Sequence, residues 1–384
     1  MAGQQGVVIV GGGQGGAETA FGLRAKGYDG SITLLCAETH LPYSRPPLSK
    51  GVLEGGVDPK SLLLRSANAY AAKQINVQLG VRVTVIDRST RTVATDSGES
   101  LGFEFLVLAT GAEAIRPAWA DAPRVHSIRT LDDAQAASAC LGERAVVIGG
   151  SFLGLEAASS LSKTVDSITV VESAEQVLPG RVSLHTSERV RRMHEERGVQ
   201  FILGEGVKTI RPGANGLEVE LRTGAYLEAD FAVLAIGARP RDELASECGI
   251  ETSRGVLVDA QCRTSDPHVY AVGDVAVERR DNGTIFGIES VASAMAQART
   301  VAAVIAGVDI PLRRPETFWS EQFGTELRIA GVVDAAHTVV DRFYEPSDGG
   351  FVVRRTRGEA LVAIEAFGNP REFALGLREL TTIL

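Results

Sequence analysis

The 384-residue sequence has few cysteines, and none is placed as a dithiol. Cys36, Cys140, Cys248 and Cys262 are widely spaced, with no Cys-x-x-Cys and no spacing typical of metal ligands. This spacing argues against the cysteine-pair chemistry of disulfide reductases and predicts no metal site. Scattered single cysteines are typical of proteins kept in a reducing cytoplasm, which is the location we expect.

Long apolar runs and an excess of positive charge are also missing. No stretch of about 18 apolar residues occurs, so no membrane span is predicted. The formal net charge of −9 argues against nucleic-acid binding, because neutralising phosphates requires clustered Lys and Arg. The apolar segment Val7–Val10 runs directly into glycines, which predicts a first β-strand rather than a signal peptide. We therefore expect neither nucleic acid nor a membrane among the partners.

Glycine, in contrast, is abundant at 42 residues, and two glycine-rich turns follow short apolar strands. Each turn is predicted to join a strand to a helix and then to a further strand, over Val7–Val10, Ala17–Lys26 and Ile32–Cys36 in the first copy, and over Ala145–Ile148, Leu155–Lys163 and Ile168–Glu172 in the second. Parallel strands joined by a helix in this way form the nucleotide-binding unit of a doubly wound fold. Two copies predict an α/β protein with two Rossmann-like dinucleotide-binding domains.

Other apolar segments complete this outline. Further strands are predicted over Gln78–Ile86, Thr92–Thr95, Phe105–Leu108, Phe231–Ile236 and Val269–Asp274, and a helix over Ser290–Ala306. Beyond Pro315 the pattern changes to strands of antiparallel type, over Leu327–Val333, Thr338–Phe343, Gly350–Arg355 and Ala360–Ala366. The last part of the chain is therefore expected to form a small C-terminal α+β domain.

The first glycine pattern, Gly11-x-Gly13-x-x-Gly16, has the context of a dinucleotide-binding turn because it follows a strand and opens a helix. Its glycines allow a tight turn, a close approach of the backbone to a pyrophosphate, and close packing of the helix on the strand. An acid is expected after the second strand to bind ribose hydroxyls, and Glu38 is the nearest one. The alternative for Glu38 is a solvated carboxylate in a loop.

A proline-rich segment, residues 42–50, follows the first unit and ends in Lys50. One interpretation is a stiff surface loop. The other is a rigid wall beside a cofactor, in which Lys50 places a positive charge close to the polar edge of that cofactor. Both interpretations fit the sequence pattern.

The second glycine pattern, Gly149 to Gly154, has Ser151 at the position of the middle glycine. The serine hydroxymethyl group is expected to crowd a pyrophosphate slightly or to hydrogen-bond to it. Glu172 closes the following strand, where a carboxylate accepts from a ribose 2′-hydroxyl and repels a 2′-phosphate, so NADH is predicted over NADPH. Glu156 is expected in the first turn of the helix, where it either stabilises the helix dipole or pairs with Lys50.

Together with the two glycine patterns, further motifs make the sequence resemble the NADH-dependent ferredoxin reductases that serve bacterial oxygenases. These motifs are Arg45-Pro46-Pro47-Leu48-Ser49-Lys50, Ala109-Thr110-Gly111, Gly273-Asp274, Ile288-Glu289-Ser290-Val291 and Phe318-Trp319-Ser320-Glu321-Gln322-Phe323. The resemblance covers nearly the whole chain and implies a glutathione-reductase-like fold with FAD and NADH as cofactors. It divides the chain into an FAD-binding domain (1–112 and 239–311), an NADH-binding domain (113–238) and a C-terminal interface domain (312–384).

The same resemblance implies a reaction and a set of site residues. A hydride passes from NADH to FAD, and single electrons then pass to a [2Fe–2S] ferredoxin that supplies a Rieske oxygenase or a cytochrome P450. Lys50, Glu156 and Trp319 are implied as the catalytic residues beside the flavin, although Trp319 has the alternative of a core tryptophan. The predicted FAD-binding residues are Gly11, Gly13, Gly15, Gly16, Glu38, Arg45, Lys50, Val83, Thr110, Gly111, Arg129, Asp274, Glu289, Val291 and Trp319. The predicted NADH-binding residues are Gly149, Gly150, Ser151, Leu153, Gly154, Glu156, Glu172 and Gly237.

Several alternatives for the function stay open. They are a rubredoxin reductase, an NADH oxidase, and an NADH-sensing flavoprotein similar to apoptosis-inducing factor. The arginines of the last domain either form a basic patch for an acidic ferredoxin or a solvated strand face, and they are Arg313, Arg314, Arg354, Arg355 and Arg357. Cys36 lies at a strand end on the adenosine side, which argues against a redox role. A monomer or a weak homodimer is expected.

Overall fold

The computed structural model describes residues 6–140, 142, 144–214, 216–280, 283–332, 339–347 and 350–383. The strands within them are β1 (Gly6–Val10), β2 (Ile32–Cys36), β3 (Ile75–Leu79), β4 (Val83–Asp87), β5 (Thr92–Thr95), β6 (Ser100–Leu108), β7 (Ala112–Ala114), β8 (Val125–Ser127), β9 (Arg144–Ile148), β10 (Ser167–Glu172), β11 (Val199–Leu203), β12 (Val207–Gly213), β13 (Gly216–Leu221), β14 (Tyr226–Ala229), β15 (Phe231–Leu234), β16 (Ala238–Pro240), β17 (Val256–Val258), β18 (Val269–Ala271), β19 (Ala276–Arg279), β20 (Ile285–Phe286), β21 (Thr317–Gln322), β22 (Thr325–Gly331), β23 (Val340–Tyr344), β24 (Phe351–Arg357) and β25 (Ala360–Phe367). The α-helices are α1 (Gln14–Ala25), α2 (Ala67–Ala72), α3 (Leu131–Ala139), α4 (Phe152–Leu161), α5 (Leu184–Glu195), α6 (Glu243–Glu247), α7 (Val291–Ala306) and α8 (Pro370–Ile383).

The chain divides into two compact units, and each is built from several segments. The first unit contains the residues up to Ser44, then Leu62–Glu113 and Arg239–Arg313. The second unit contains Arg45–Ser61, Ala114–Ala238 and the residues from Arg314 onward. The first glycine turn therefore belongs to the first unit, and the second glycine turn to the second.

The main sheet of the first unit has the strand order β3-β2-β1-β6-β5-β4, with β18 also paired to β6. Strands β3, β2, β1, β6 and β18 pair with one another in parallel, whereas β5 pairs antiparallel with both β6 and β4. The carboxyl ends of β2, β1, β6 and β18 therefore meet at one edge. In open α/β sheets this edge is where ligands bind.

Both faces of this sheet are covered, which explains the continuous apolar character of β1. Val7 and Ile9 face one layer and pack with Leu23 of α1 and Val301 of α7. Val8 and Val10 point to the other face, where they join a second buried cluster. Parallel strands buried on both faces carry unbroken apolar runs of this kind.

A second parallel sheet, with the order β11-β10-β9-β15-β8, is the centre of the second unit. Apolar side chains of β9, including Val146 and Ile148, pack against those of the antiparallel sheet β12-β13-β14. Leu155 of α4 belongs to another buried cluster together with Val190 of α5 and Leu327 of β22. The nucleotide-binding fold and the last part of the chain thus share apolar packing within this unit.

The last part of the chain forms an antiparallel sheet with the order β21-β22-β25-β24-β23. Helix α8 packs on one face of it, with Leu380 in a cluster that includes Val352 and Ile364. The expected α+β character of the C-terminal part is confirmed, and α8 and β21 are elements that were not predicted from the sequence. Strand β21 is important because it contains Trp319.

Most predicted elements are present with bounds that differ by a few residues, but Gln78–Ile86 is two strands rather than one. Strand β3 ends at Leu79 and β4 begins at Val83. The chain turns between them because the N–H of Gly80 donates to the carbonyl of Glu38, and the N–H of Val81 donates to the carbonyl of Cys36, the last residue of β2. The strands predicted to end at Val333 and to begin at Thr338 reach outside the described residues.

Two kinds of feature are absent from the described residues. No helix among them is both long and apolar enough to cross a membrane. No group of three or more His, Cys, Asp or Glu side chains in the same part of the chain is arranged to hold a metal ion.

Candidate active site

The first glycine turn leaves open space at its centre and is tightly packed at both ends. A Cβ atom on Gly11 would lie 2.0 Å from the carbonyl oxygen of Ala109, and φ there is +117°, so only glycine fits without strain. A Cβ on Gly16 would lie 2.0 Å from the oxygen of Gly11, whereas a Cβ on Gly13 would meet nothing within 4 Å. Helix α1 begins directly after Gly13, and no side chain caps it. This open space at a helix N-terminus fits the pyrophosphate of a dinucleotide.

The other residues predicted to bind FAD at this edge follow the neighbouring parallel strands. Glu38 follows β2, and its carboxylate accepts a hydrogen bond of 2.5 Å from the hydroxyl group of Tyr43. Thr110 and Gly111 follow β6, and Asp274 lies just after β18. The carboxyl ends of four parallel strands therefore bring these residues to the glycine turn. Glu38 is half-buried and hydrogen-bonded, so it is not a freely solvated loop carboxylate.

The remaining predicted FAD-binding residues are more scattered. Gly15 in α1 lies against the segment that leads to Asp274, since its Cβ would be 3.1 Å from Val272 Cγ2. Val83 is buried at the start of β4, and Val291 is the first residue of α7, preceded by the exposed Glu289. All of these residues lie in the first unit.

Arg45 and Arg129, which were also predicted to contact FAD, lie in the second unit. The Arg45 guanidinium donates a hydrogen bond of 2.6 Å to the backbone carbonyl of Arg129. Thr130 follows and caps α3 together with Asp133, so the backbone at Arg129 is held in place. The structure thus brings these two arginines together.

The second glycine turn repeats the close packing of the first. A Cβ on Gly149, where φ is +107°, would lie 2.4 Å from the oxygen of Ala235, and a Cβ on Gly154 would lie 2.0 Å from the oxygen of Gly149. Gly237 follows β15, the strand next to β9 in the sheet, and Leu153 is half-buried in the first turn of α4.

The hydroxyl group of Ser151 is already bonded within the protein. It donates to the carbonyl oxygen of Ala235 at 2.8 Å and accepts from the N–H of Gly154 at 3.3 Å. Ser151 is therefore the N-cap of α4, a position that serine favours. This role accounts for the serine at the middle position of the pattern without a bond to the pyrophosphate.

The Glu172 carboxylate at the end of β10 is held by backbone N–H groups. Its Oε2 accepts from Gly150 at 2.7 Å, and its Oε1 accepts from Ala174 at 2.8 Å and from the Ser173 hydroxyl at 3.1 Å. A carboxylate offers about four lone-pair sites, so acceptor capacity remains for a ribose hydroxyl. The carboxylate is thus oriented next to the turn in advance of any ligand.

Lys50 and Glu156, predicted as partners, form an ion pair between a half-buried ammonium group and a buried carboxylate, with 2.7 Å between Lys50 Nζ and Glu156 Oε2. The same Oε2 accepts from the Ser49 hydroxyl at 2.6 Å, while Oε1 accepts from the Ser320 hydroxyl at 2.7 Å. Lys50 Nζ also donates to the carbonyl oxygen of Pro46 at 3.1 Å. Three residues of the proline-rich segment, Pro46, Ser49 and Lys50, therefore contribute polar groups to this cluster.

One expectation for this cluster was wrong, and one alternative is excluded. Glu156 lies in the second turn of α4 rather than the first, because the helix begins at Phe152, so the carboxylate does not act on the helix dipole. Trp319 is not a core tryptophan, since it is 39% exposed on β21. Its ring centroid lies 5.2 Å from Lys50 Nζ, which is within the range of a cation–π contact.

Two family models match this chain. Residues 5–298 match the model described as pyridine nucleotide-disulphide oxidoreductase, and residues 317–382 match the model described as reductase C-terminal. The chain belongs to the pyridine nucleotide-disulphide oxidoreductase family.

Known relatives of this oxidoreductase cover nearly its whole length. It is 34% identical to putidaredoxin reductase of Pseudomonas putida over 96% of this chain and 89% of that protein. It is 37% identical to rubredoxin–NAD(+) reductase of Pseudomonas putida over 96% of this chain and 98% of that protein. A chain in the solved covalent putidaredoxin reductase–putidaredoxin complex matches with a TM-score of 0.93 and 32% identity, over 99% of this chain and 94% of that one. The ferredoxin reductase for the CYP199A2 system of Rhodopseudomonas palustris matches with a TM-score of 0.91 and 33% identity, over 97% and 93%.

These matches confirm the resemblance to ferredoxin reductases and the predicted fold class. The protein is a flavoprotein oxidoreductase that uses FAD and NADH. The open space at Gly13 and the oriented carboxylate of Glu172 fit these two dinucleotides.

The surroundings of Cys36, the thiol next to the first glycine turn, do not suit redox chemistry. All four are free thiols, as Cys36, Cys140, Cys248 and Cys262 form no disulfide. Cys36 is buried against the first glycine turn, where a Cβ on Gly12 would lie 2.4 Å from its sulfur. Burial, and then the nearby Glu38 carboxylate, raise the pKa of the Cys36 thiol to about 12. A thiol with so high a pKa is a poor nucleophile at neutral pH.

Ion pairs reduce the positive charge of the predicted arginine patch. Arg313 pairs with Glu278, Arg354 with Glu379, and Arg355 with Asp341. Arg314 and Arg357 are exposed. The five arginines thus contribute less net charge for an acidic partner than their number implies.

The groups that hold the Glu156 carboxylate were not predicted from the sequence. Ser49, Ser320 and Glu321 all donate to its carboxylate, the last through its backbone N–H at 3.3 Å. These residues belong to the two motifs around Lys50 and Trp319, so their positions next to predicted site residues were the available signal. Their convergence on one carboxylate required the tertiary structure.

Proposed function

We propose that this enzyme is an NADH:ferredoxin reductase whose electron acceptor is a [2Fe–2S] ferredoxin serving a Rieske oxygenase or a cytochrome P450. One observation carries the proposal: the chain matches, over almost its full length, the reductase that was solved in covalent complex with putidaredoxin. The match includes the reductase C-terminal region as well as the nucleotide-binding fold.

We assign the two nucleotides to the two glycine turns. FAD binds at the turn Gly11–Gly16, with Glu38 and Asp274 toward its ribose and ribityl hydroxyls. NADH binds at the turn Gly149–Gly154, with Glu172 toward the adenosine ribose. We keep a three-domain division as part of this proposal, with 1–112 and 239–311 for FAD, 113–238 for NADH and 312–384 for the partner, although Arg45–Ser61 belong to the second compact unit.

FAD, when bound, supplies the chemistry by accepting a hydride from NADH and releasing electrons singly. The protein supplies charge and orientation at the polar cluster in the second unit. Lys50 provides a positive charge that Glu156 and the Pro46 carbonyl hold in place. A fixed cation stabilises negative charge that develops nearby, because it needs no reorganisation during the reaction. The exposed ring of Trp319 lies over this cation and provides an aromatic surface beside it.

Stopped-flow reduction of the purified FAD-loaded protein by NADH tests the proposal. We expect fast bleaching of the flavin, followed by cytochrome c reduction that depends on an added [2Fe–2S] ferredoxin from the same genome. Slow bleaching, or electron transfer that the ferredoxin does not accelerate, would contradict the proposal and favour an NADH oxidase or an NADH-sensing flavoprotein.

Rubredoxin is the second candidate acceptor, favoured by a specific observation. The chain is 37% identical to rubredoxin–NAD(+) reductase, compared with 34% to putidaredoxin reductase. The same stopped-flow experiment with rubredoxin in place of ferredoxin separates the two acceptors. A higher second-order rate constant with rubredoxin would replace ferredoxin as the proposed acceptor.

The cellular location and oligomeric state stay predictions. We propose a cytoplasmic enzyme, which is supported by the four free thiols, because unpaired cysteines are typical of reducing compartments. A monomer or a weak homodimer is expected, and the sedimentation coefficient at micromolar concentration tests this.

A further inference from the structure

A line of hydrogen bonds runs from Glu156 into the interior of the second unit. The Ser320 hydroxyl donates to Glu156 Oε1 at 2.7 Å, and Gln322 Nε2 donates to the Ser320 hydroxyl oxygen at 3.2 Å. Gln322 Oε1 in turn lies 2.9 Å from Nε2 of His194. His194, Gln322 and Ser320 are at most 1% exposed, so water does not compete for these bonds.

The chemical groups determine which partner donates the proton in each of these hydrogen bonds. The amide oxygen of Gln322 can only accept, so His194 Nε2 must carry the proton. The amide nitrogen of Gln322 can only donate, so the Ser320 oxygen accepts and its own proton points to the Glu156 carboxylate. His194 stays neutral at neutral pH because burial lowers its pKa to about 4. Each member therefore determines the orientation of the next.

The alternation of side chains along β21 separates the hydrogen-bonded residues from the exposed Trp319. Successive side chains of a strand point to opposite faces, so Ser320 and Gln322 share the buried face of β21 while Trp319 lies on the other. His194 lies on α5. The ring of Phe323, the residue after β21, packs edge-on against the imidazole, with 4.8 Å between the ring centroids. The other ring nitrogen of His194, Nδ1, is buried and has no hydrogen-bond partner within the described residues. Packing and the bond to Gln322 thus hold the imidazole.

We propose that Gln322 and His194 are positioning residues for the Lys50–Glu156 ion pair and act through the hydroxyl group of Ser320. Its relevance to electron transfer rests on the proposed function, in which the charge of Lys50 stabilises negative charge that develops during the reaction. With the Ser320 proton directed at Oε1, the Glu156 carboxylate has one orientation, and Oε2 faces Lys50 and Ser49. Without Gln322 the hydroxyl group can rotate, and the carboxylate holds the ammonium group less firmly.

The rate at which the Lys50 amine is acetylated measures how firmly the Glu156 carboxylate holds it. The sequence has only six lysines, so acetylation by a succinimidyl ester can be followed at each one by peptide mass spectrometry. The test uses the FAD-loaded protein without NADH and without an electron acceptor. We expect Lys50 to be acetylated about threefold faster in Gln322→Met and in Ser320→Ala than in the wild type, as for the loss of one buried hydrogen bond. The exposed Lys60 and Lys73 provide the reference rates in the same sample.

Ser187→Ala is the matched control. Its buried hydroxyl lies on the same helix as His194 and donates to the Val177 carbonyl at 2.7 Å, away from Glu156. An equal increase in this variant would show general loosening and overturn the proposal. An unchanged Lys50 rate in Gln322→Met, alongside a faster rate in Ser320→Ala, would also overturn it, because the line would then end at Ser320.

A second pair of variants covers the case in which Gln322→Met does not fold. His194→Gln keeps a donor near the position of Nε2, whereas His194→Leu removes it. The proposal expects faster acetylation of Lys50 in His194→Leu and restoration of the wild-type rate in His194→Gln. Equal rates in the two variants would refute a role of the His194 hydrogen bond. Because no step uses NADH or an acceptor, these results are independent of which acceptor the enzyme serves.

Discussion

The preference for NADH provides the sharpest test of the second nucleotide site. NADPH differs from NADH by a 2′-phosphate, and Glu172 is the carboxylate that we place at the adenosine ribose. Glu172→Gln removes its charge and keeps its size. We expect the preference for NADH over NADPH to fall, because the phosphate then no longer meets a negative charge.

The structure allows the magnitude to be worked out. Two unit charges about 4 Å apart interact by about 4 kcal/mol at the effective dielectric constant of about 20 that suits protein sites. Salt and rearrangement of the flexible phosphate reduce this, so we expect the ratio of kcat/KM for NADH to that for NADPH to fall about tenfold to 100-fold, or about 1.4–2.8 kcal/mol. Glutamine has one acceptor oxygen, whereas Glu172 accepts from Gly150 at Oε2 and Ala174 at Oε1. The free energy of unfolding of the variant should therefore also fall by about 1–3 kcal/mol, and this loss does not change the ratio between the two cofactors.

The assay is the steady-state reduction of ferricyanide with NADH and with NADPH, which needs no ferredoxin. Glu220→Gln is the matched control, because Glu220 is 7% exposed, close to the 8% of Glu172, and pairs with Lys208 instead of a nucleotide turn. We expect its NADH/NADPH ratio to equal that of the wild type. A ratio in Glu172→Gln within twofold of the wild type, or an equal shift in Glu220→Gln, would refute the ribose role of Glu172.

Three further predictions concern other parts of the second unit. Burial holds the pKa of His194 at about 4, below the ordinary 6.5, so between these pH values the unfolded chain binds a proton that the folded protein does not. The free energy of unfolding should therefore fall by about 3 kcal/mol as the pH drops from 6.5 to 4. Urea titrations of His194→Gln should lack this pH-dependent decrease. Trp319→Ala removes the ring over Lys50, and we expect the rate of flavin reduction by NADH to fall about twofold to fivefold in stopped-flow traces. An unaltered rate and an unaltered flavin spectrum would instead assign the ring to packing. Ser151→Gly removes the side-chain cap of α4 and should lower the free energy of unfolding by about 1 kcal/mol or less. We expect the KM for NADH to stay unchanged. A fivefold change in KM would mean that the Ser151 hydroxyl contacts the nucleotide.

Local patterns in the sequence were sufficient for the two nucleotide turns. Gly11 and Gly149 have backbone angles that glycine alone adopts without strain, so the spacing of the glycines predicts both turns. The atoms that leave no room for a Cβ there belong to Ala109 and Ala235, which are distant in the sequence. The strand Ile32–Cys36 was predicted with its observed bounds, because apolar strands buried on both faces are easily recognised. Where long-range contacts end an element, as between β3 and β4, the pattern was misleading.

The sequence by itself thus determined the fold class, the two dinucleotide turns and the pairing of Lys50 with Glu156 through their motifs. Only the tertiary structure decided how that pair is held. Its hydrogen-bond donors come from Ser49 and Ser320, which are 271 positions apart in the chain, and the line continues to His194 on another helix. No periodicity or spacing encodes such a convergence, because it arises from the packing of three separate segments around one buried carboxylate.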